Sequence, residues 1–306
     1  MAIPFTLRQL DYFVAVAEHG SVTAAAAVRN VAQPSVSIAV GELEAALGKS
    51  LFRRRPGQRL AITPAGRQLL IHARTALAAA QRIASGNRDR TEIKGEIAIT
   101  CFRDIGAYYL PRLIAAFAAR YPDVTFRLAE GNLAEVRTDI ADGRCDLAIT
   151  YDIELDLHGI SRSTIHRLFP HALLPKNHRL ARRSKVRLVE LASERLVLED
   201  FPLTYEYFIT MFRLRGIEPP SVQLTPSFEM QRGLIANGWG VGLSCIRPKP
   251  DFSYDGQPIA CRPLATAEPS SDIAIAHLGR ETLTPPAAEF LASALKFYRN
   301  LSTVQA

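Results

Sequence analysis

The sequence predicts an α/β multidomain protein with a helical N-terminal domain, a long linker helix and a C-terminal α/β domain of two lobes. Three patterns predict this fold class. Apolar residues recur at helical spacing up to about residue 50, a second periodic run follows Thr63, and strand-like and helix-like segments alternate from Gly95 onward. The 306 residues, 48% of them hydrophobic, suffice for about two packed domains.

The N-terminal domain is expected to be a winged helix-turn-helix. Thr6 and Gln9 are spaced as a capping box at the start of a first helix, which Gly20 ends. Ser21 is placed to cap a second helix, and Asn30 suits the left-handed backbone of the turn after it. A third helix then begins around Pro34.

One face of this third helix is predicted to be buried, because Val36, Val40, Leu43 and Leu47 recur at steps of four, three and four. Small polar side chains, including Gln33, Ser35 and Ser37, fall outside this stripe at the N-terminal end of the helix. Such an end can enter a DNA groove. The alternative is that these residues are only polar groups at a helix start.

The excess of basic over acidic residues is confined to the first third of the chain. Residues 1–90 carry 12 Lys and Arg against 5 Asp and Glu, whereas the other 216 residues carry 25 of each. This division is expected if only the N-terminal third meets a polyanion.

Short strands at 51–52 and 60–62 flank a Pro56-Gly57 turn and indicate a wing. Its arginines are Arg53, Arg54, Arg55 and Arg59. These arginines either lie in a solvated charged loop or, as we infer from the neighbouring helix, contact the phosphates of DNA.

A linker helix is predicted from Thr63-Pro64 to about Arg82 or Arg88. Its apolar residues recur at steps of four and three, which is typical of a coiled-coil seam that pairs with a second chain. Packing on the chain's own second domain is the alternative. The residues assigned to dimerisation are Leu69, Ala73, Ala76, Leu77, Ala80 and Ile83.

We divide the chain into a winged helix-turn-helix domain (1–63), a linker helix with its hinge (64–92) and a regulatory domain (93–306). Lobe I comprises 93–165 and 270–306, and lobe II comprises 166–269. Strands are predicted at 96–100, 124–128, 146–151, 171–174, 196–198, 242–245 and 272–278. Helices are predicted at 108–120, 133–141, 205–215, 228–236 and 286–298. The alternation indicates mostly parallel sheets.

Ligands of such sheets bind at the carboxyl ends of the strands. This rule selects the candidate effector-binding residues Thr100, Cys101, Phe102, Asn132, Thr150, Asp200, Phe201 and Phe228. The helix that follows Thr100 could hold an anion with its first amides, although acidic residues in the same region make a simple carboxylate a less certain ligand. Each residue could instead be packing, and Cys101 could alternatively be a thiol that senses oxidants.

Several classes of function are disfavoured. The four cysteines lack the spacing of a zinc site, and no sequence motif of a hydrolase, a P-loop or a metal enzyme is present. The glycines at 238–242 lack the dinucleotide-binding order, so we expect them to allow a close approach of strands. With no signal peptide and no apolar run long enough to span a bilayer, we expect a cytoplasmic protein without a cofactor.

Residues 7–66, LRQLDYFVAVAEHGSVTAAAAVRNVAQPSVSIAVGELEAALGKSLFRRRPGQRLAITPAG, closely resemble the N-terminal domain of LysR-type transcriptional regulators. The match lies in the order of the GS-x-T-x-AA, Q-P-S-x-S, ELE, LG-x-x-LF and T-x-AG segments. The rest of the chain more weakly resembles the effector domain of that family, whose two lobes are similar to periplasmic binding proteins.

The resemblance implies a sequence-specific regulator that binds double-stranded DNA and is controlled by a small-molecule inducer, of unknown identity, between the lobes. It also implies a homodimer or homotetramer on an interrupted palindromic operator, with RNA polymerase as a further candidate partner. Ile38 and Ala39 depart from the arginine or polar residues of many members, which favours reading by apolar contacts and DNA shape. The assigned DNA-contacting residues are Thr23, Gln33, Pro34, Ser35, Ser37, Arg53, Arg54, Arg55 and Arg59. An architectural DNA-binding protein without an inducer, or an enzyme on the α/β half, are the alternatives.

Overall fold

The computed structural model describes residues 3–53, 60–85, 93–152, 159–218, 221–248, 251–265 and 270–304. The chain forms two compact units. The first contains residues 1–150, 154–165 and 274–306, and the second contains 151–153 and 166–273.

The first unit begins with the predicted winged helix-turn-helix, which we call the head (residues 3–53 and 60–63). Two short strands of the head pair antiparallel, with Phe52 opposite Ile62. The long linker helix follows directly. These elements are α1 (Leu7–His19), α2 (Val22–Val28), α3 (Gln33–Leu47), β1 (Phe52–Arg53), β2 (Ala61–Ile62) and α4 (Pro64–Ser85).

The predicted helix ends of the head are confirmed. Thr6 and Gln9 form a capping box at the start of α1, and Gly20 ends that helix with φ of 60°. The Ser21 hydroxyl accepts a hydrogen bond from the amide of Ala24 at the start of α2. Asn30 has φ of 53° in the turn before α3. Local sequence therefore determines where α1 and α2 begin and where they end.

Apolar side chains of all three helices meet in the core of the head. Val36 and Val40 of α3 pack against Val16 of α1 and against the small residues Ala25 and Ala26 of α2. The small side chains of Ala25 and Ala26 allow the helices to approach closely. One face of α3 is consequently fixed in the core, and the opposite face is left open.

The linker helix α4 packs partly on its own chain, which corrects part of the dimerisation assignment. Leu70 and Ala73 are buried in one apolar cluster with lobe I residues such as Val136 and Ile140. Ala73, expected in a seam between chains, is thus covered within a single chain. The buried face of α4 includes Leu70, which lies beside the predicted seam, because lobe I packs against that side of the helix. The sequence pattern does not reveal this surface. Leu69, Ala76, Leu77 and Ala80 are partly buried, and Ile83 is 81% exposed.

Lobe I contains a five-stranded sheet of order β4-β3-β5-β12-β6, in which β3 is parallel to both β4 and β5. Helix α5 begins five residues earlier than predicted, and β6 is not among the predicted strands. The elements are β3 (Gly95–Phe102), α5 (Arg103–Arg120), β4 (Val124–Gly131), α6 (Leu133–Ala141), β5 (Leu147–Tyr151), β6 (Ser161–Leu168), β12 (Ser271–His277) and α10 (Pro285–Val304).

Lobe II contains a second five-stranded sheet of order β11-β7-β10-β8-β9. Strand β8 is parallel to β9 and β10, whereas β7 is antiparallel to β10 and β11. Strands β9 and β11 and the short helix α7 were not predicted. The elements are β7 (His171–Pro175), α7 (Leu188–Leu191), β8 (Arg195–Glu199), α8 (Pro202–Arg213), β9 (Ser221–Thr225), α9 (Phe228–Ala236), β10 (Val241–Ser244) and β11 (Ile259–Pro263).

The glycines before and within β10 allow a close approach of strands, as predicted. A Cβ on Gly240 would lie 2.5 Å from the carbonyl oxygen of Arg195 in β8. One on Gly242 would lie 2.9 Å from the carbonyl oxygen of Val197. Glycine is therefore required here by packing of the sheet rather than by a bound dinucleotide.

Candidate DNA interface and effector-binding edges

The N-terminal end of α3 presents an open surface of small side chains. Gln33, Pro34 and Ser35 are exposed, and Ser37 is half-buried. Ala32 precedes the helix and has no side chain that could cap it, so no side-chain cap bond is found there among the described residues. The first amides of α3 and its helix dipole therefore favour an anion, such as a DNA phosphate, at this end.

An apolar side chain lies beside these polar groups on the open face of α3. Ile38 is 61% exposed. Thr23, near the start of α2, is also exposed. Exposure of Ile38 suits contact with the methyl group of a thymine in the major groove.

The wing is fastened to α3 by one carboxylate. Oε1 of Glu44 in α3 accepts hydrogen bonds from the backbone amides of Leu51, at 2.6 Å, and Phe52, at 3.3 Å. On the other side of the wing, the amide of Leu60 donates to the carbonyl oxygen of Gly20, at 3.0 Å. These bonds hold β1 and β2 beside the helix expected to read DNA.

Of the predicted wing arginines, Arg53 lies in β1 with its side chain exposed. Arg54, Arg55 and Arg59 fall outside the described residues. Among the predicted wing arginines, Arg53 is thus the one that the described residues include. Its position at the end of a strand anchored to α3 suits a contact with the DNA backbone.

In lobe I, the candidate effector-binding residues do lie at one edge of the sheet. Thr100 and Phe102 lie at the carboxyl end of β3, Thr150 lies near the carboxyl end of the adjacent parallel strand β5, and Asn132 directly follows β4. Register places Phe102 opposite Gly131 of β4. The prediction that strand ends would bring these residues to a common edge is therefore correct.

Several of the candidate side chains at this edge are buried, and their assignment to effector binding stays a prediction. Thr100, Phe102 and Thr150 are each at most 3% exposed. The Thr100 hydroxyl lies 3.3 Å from a carboxylate oxygen of Asp139, and Asn132 caps α6 in a capping box with Glu135. A ligand could reach the buried groups only if the protein atoms that cover them moved.

Burial also argues against an oxidant-sensing role for Cys101. Its Sγ lies 3.5 Å from the carbonyl oxygen of Ala129, and the side chain is buried. Burial, with the carboxylate of Glu130 nearby, raises the pKa of the Cys101 thiol to about 12. The thiol therefore stays protonated near neutral pH, whereas reactive cysteines are thiolates.

In lobe II, Asp200 and Phe201 directly follow β8, and Phe228 begins α9 after the parallel strand β9. Asp200 is exposed, and its amide donates to the carbonyl oxygen of Thr225 at 2.7 Å. Phe201 and Phe228 are buried or nearly so. Asp200 is consequently the most accessible of the three candidate side chains.

Two buried polar residues near this second edge were missed by the sequence analysis. Arg232 of α9 lies over the ring of Phe228 at 5.4 Å, donates to the carbonyl oxygen of Phe252 and faces Glu229 at 3.4 Å. His171, in β7, has its pKa lowered to about 4, chiefly by burial. The only sequence signal for Arg232 is its position one turn after Phe228 on the same helix.

A second missed set lies between the head and lobe I. Arg74 interrupts the apolar stripe of α4, and this interruption is the signal that could have identified it. Its buried guanidinium bridges Glu18 of α1 and Asp146 of lobe I.

Among the described residues, no group of three or more potential metal ligands comes together. In the same part of the chain, no helix has the length and apolar composition needed to cross a bilayer.

Comparison with known proteins agrees with this architecture in both halves. Residues 7–67 match the bacterial regulatory helix-turn-helix protein, lysR family. Residues 90–299 match the LysR substrate binding domain. The transcriptional dual regulator GltC of Bacillus subtilis is 28% identical over 98% of this chain and 99% of its own. The regulator CfxR of Cupriavidus necator is 32% identical over 78% of this chain and 75% of its own.

The crystal structure of a putative LysR family transcriptional regulator from Pseudomonas aeruginosa, the PA01 protein, is similar along nearly the whole chain. It is 36% identical, covers 96% of this chain and 99% of its own, and gives a TM-score of 0.65. With both domains matched in order, and with a helix-turn-helix head followed by a two-lobed α/β domain, this chain belongs to the LysR family of transcriptional regulators.

Proposed function

We propose that the protein regulates transcription in the cytoplasm as a homodimer or homotetramer, each dimer of which binds two half-sites of an interrupted palindromic operator. The start of α3 reads the bases, and the wing adds affinity through the phosphates. A small-molecule effector bound in the C-terminal domain controls this binding. RNA polymerase is a candidate partner at the regulated promoter.

The observation that carries the proposal is the open N-terminal end of α3 beside an anchored wing. The helix is held by Val36 and Val40 in the core, and Glu44 holds strand β1 of the wing beside it. Excess positive charge in residues 1–90 supplies attraction to DNA. The exposed Ile83 on α4 supports pairing of two chains through the far end of that helix.

Selection from a random pool of DNA duplexes, followed by footprinting, tests the proposal. We expect the full chain to enrich two related half-sites separated by about one or more helical turns. Enrichment of no motif, or equal protection of every duplex, would support a sequence-independent architectural protein instead.

We place the effector contacts at the carboxyl edges of β3, β4 and β5 in lobe I and of β8 and β9 in lobe II. Support comes from the parallel register, which gathers strand ends there, and from Asp200, an exposed polar group at the second edge. The ligand rule for open α/β sheets selects the same edges.

A thermal-shift screen of a metabolite library identifies the ligand class. Asp200→Asn is expected to diminish the shift produced by a hit. Arg195→Gln serves as the matched control, because Arg195 lies at the opposite end of the same strand and is exposed. An equal shift in the unchanged chain and in Asp200→Asn would reject Asp200 as a contact.

A further inference from the structure

Arg74 is a buried arginine at the middle of the linker helix. Only 5% of its side chain is exposed. Its guanidinium donates to a carboxylate oxygen of Glu18 at 2.7 Å, to the backbone carbonyl oxygens of Gly143 and Cys145, and to Asp146 at 3.4 Å. Four oxygen atoms thus surround one cation.

These acceptors belong to two different parts of the first unit. Glu18 lies in α1 of the head, and the other three acceptors lie in the turn between α6 and β5, which we call the 142–146 turn. Arg74 itself lies on α4. A single side chain therefore joins the head, the linker helix and lobe I.

Burial and the neighbouring charges act in opposite directions on the pKa values of this cluster. Burial tends to lower the pKa of Arg74, but Glu18 and Asp146 outweigh it and raise that pKa. Burial raises the pKa of Glu18, which opposes the ion pair. The Arg74 guanidinium, 2.7 Å from the Glu18 carboxylate, acts in the opposite direction on that pKa.

Close packing next to Arg74 makes the junction tight. A Cβ on Gly143 would lie 2.3 Å from a methyl carbon of Leu70, one turn earlier on α4. Gly143 also has φ of 66°, which glycine adopts without strain. Arg67, two turns before Arg74, pairs with Asp142 at 2.7 Å. The helix is thus fastened to the 142–146 turn along two turns of its length.

We propose that Arg74 is the positioning residue that fixes the head to lobe I, so that the 142–146 turn, α4 and α1 move as one body. A guanidinium suits this role because its planar fork of five donors binds several acceptors in fixed directions. An apolar side chain would fill the space, but it would not select one orientation of the carbonyl groups around it.

The same turn is connected to the proposed effector-binding edge of lobe I. Arg144 pairs with Asp142 at 2.9 Å and with Asp139 at 3.1 Å, and Asp139 lies 3.3 Å from the hydroxyl of Thr100. A rearrangement at that edge would therefore reach the head through the residues that Arg74 holds. This consequence rests on the proposed function, whereas the fastening itself does not.

Distance measurement by electron spin resonance tests the fastening without DNA or effector. Spin labels are attached to Ala45→Cys on the exposed side of α3 and to Ala115→Cys on the exposed side of α5. Labelled chains are diluted with unlabelled full-length chains, so that only distances within one chain contribute. The four native cysteines are buried, and burial raises the pKa of each to about 12, which keeps them unreactive toward the label.

We expect one narrow distance distribution in the otherwise unchanged chain. Arg74→Gln should broaden it and shift its mean, and Arg74→Lys should do the same, because one ammonium cannot reach all four acceptors. The matched control is Arg29→Gln, which removes an arginine paired with Asp11 at 2.9 Å entirely within the head. The control should keep the narrow distribution.

A second variant covers the case in which Arg74→Gln fails to fold. Arg74→Met combined with Glu18→Met and Asp146→Asn removes the buried cation together with both carboxylates that face it. It should fold and still show the broad distribution. A purely stabilising role would instead lower the melting temperature and leave the distances in the folded protein unchanged.

Distributions as narrow as in the unchanged chain, in whichever of these Arg74 variants folds, would overturn the proposal. Equal broadening in Arg29→Gln would overturn it too, since the effect would then come from loosening of the head. Failure of the chain to select a DNA sequence would reject the proposed function and leave this measurement valid.

Discussion

Individual polar side chains, half-buried or buried, hold parts of this protein in place where apolar packing alone would not define an orientation. Glu44 joins the wing to α3 through two backbone amides, and Arg74 joins three elements through one guanidinium. His171, by contrast, is buried close to Arg232 and is neutral. Each of these residues has a measurable consequence of its own.

The stability of the protein should depend on pH through His171. Burial lowers its pKa from 6.5 to about 4, so between these values only the unfolded chain binds this proton. Stability therefore falls as the pH falls through this window, by up to about 3 kcal/mol from this group. The charges of Arg247 and Arg232 act in the same direction, and those of Asp251 and the Phe169 backbone oppose them.

Urea unfolding of the full chain at several pH values between 7 and 4.5 measures this dependence. His171→Gln should flatten it, since the group that binds the proton is removed. Other histidines with lowered pKa values remain in both proteins, so the difference isolates His171. The same slope with and without the imidazole would contradict this prediction.

At the scale of elements, α3 has one tightly packed face, but its sequence includes a glycine, which is a poor helix former. Gly41 lies within the helix, and an added Cβ there would meet nothing within 4 Å. Gly48, which follows the helix, has φ of 62° and also lies in open space. An added methyl group would therefore clash with nothing at either glycine, and the two positions differ only in their backbone conformation.

Replacing these two glycines by alanine should have opposite effects. Gly41→Ala should stabilise the head by about 0.5–1 kcal/mol, because alanine restricts the unfolded chain and favours the helix. Gly48→Ala should destabilise it by about 1 kcal/mol, because a side chain disfavours the left-handed conformation. Urea unfolding followed by helical circular dichroism measures both. Stabilisation by both substitutions would show that this conformation is not maintained at Gly48.

The linker helix should divide its apolar residues between two interfaces. Ile83 is exposed within one chain, whereas Leu70 is fully buried there. Ile83→Glu should therefore lower the fraction of dimer in sedimentation experiments without lowering the stability of the chain. Leu70→Ala should cost about 2–5 kcal/mol of stability. An unchanged mass for Ile83→Glu at all concentrations would remove Ile83 from the interface between chains.

At the scale of the whole molecule, the basic excess lies in the part that contains the head. The balanced charge beyond residue 90 is consistent with a domain that meets a small molecule rather than a polyanion. The LysR family models match the same two parts of the chain in the same order.

The sequence predicts the head better than the regulatory domain, for physical reasons. The helix caps at Thr6 and Ser21 depend only on residues three positions away, so they can be recognised in the sequence. Strands β6 and β9 lie at sheet edges and are rich in polar residues, so their alternation is weak. The early start of α5 was missed because Gly106 disfavours helix, yet a Cβ there would lie 2.3 Å from Sγ of Cys101.

Site prediction has a similar limit. Strand ends predicted which residues share an edge, since that depends on chain direction alone. The burial of Thr100 and Phe102 depends on tertiary packing and could not be inferred. Arg74 was visible only as a charge within an apolar stripe, and its partners lie 56 to 72 residues away along the chain.

The central claim is that α3 reads bases while the wing contributes affinity that does not depend on sequence. Fluorescence anisotropy over a range of salt concentrations, with the selected duplex and a scrambled one, tests it most directly. Arg53→Ala should weaken binding to both duplexes and reduce the salt slope by about one. Gln33→Ala should weaken binding to the selected duplex alone and keep the slope. Equal losses on both duplexes for Gln33→Ala, or an unchanged slope for Arg53→Ala, would contradict the account.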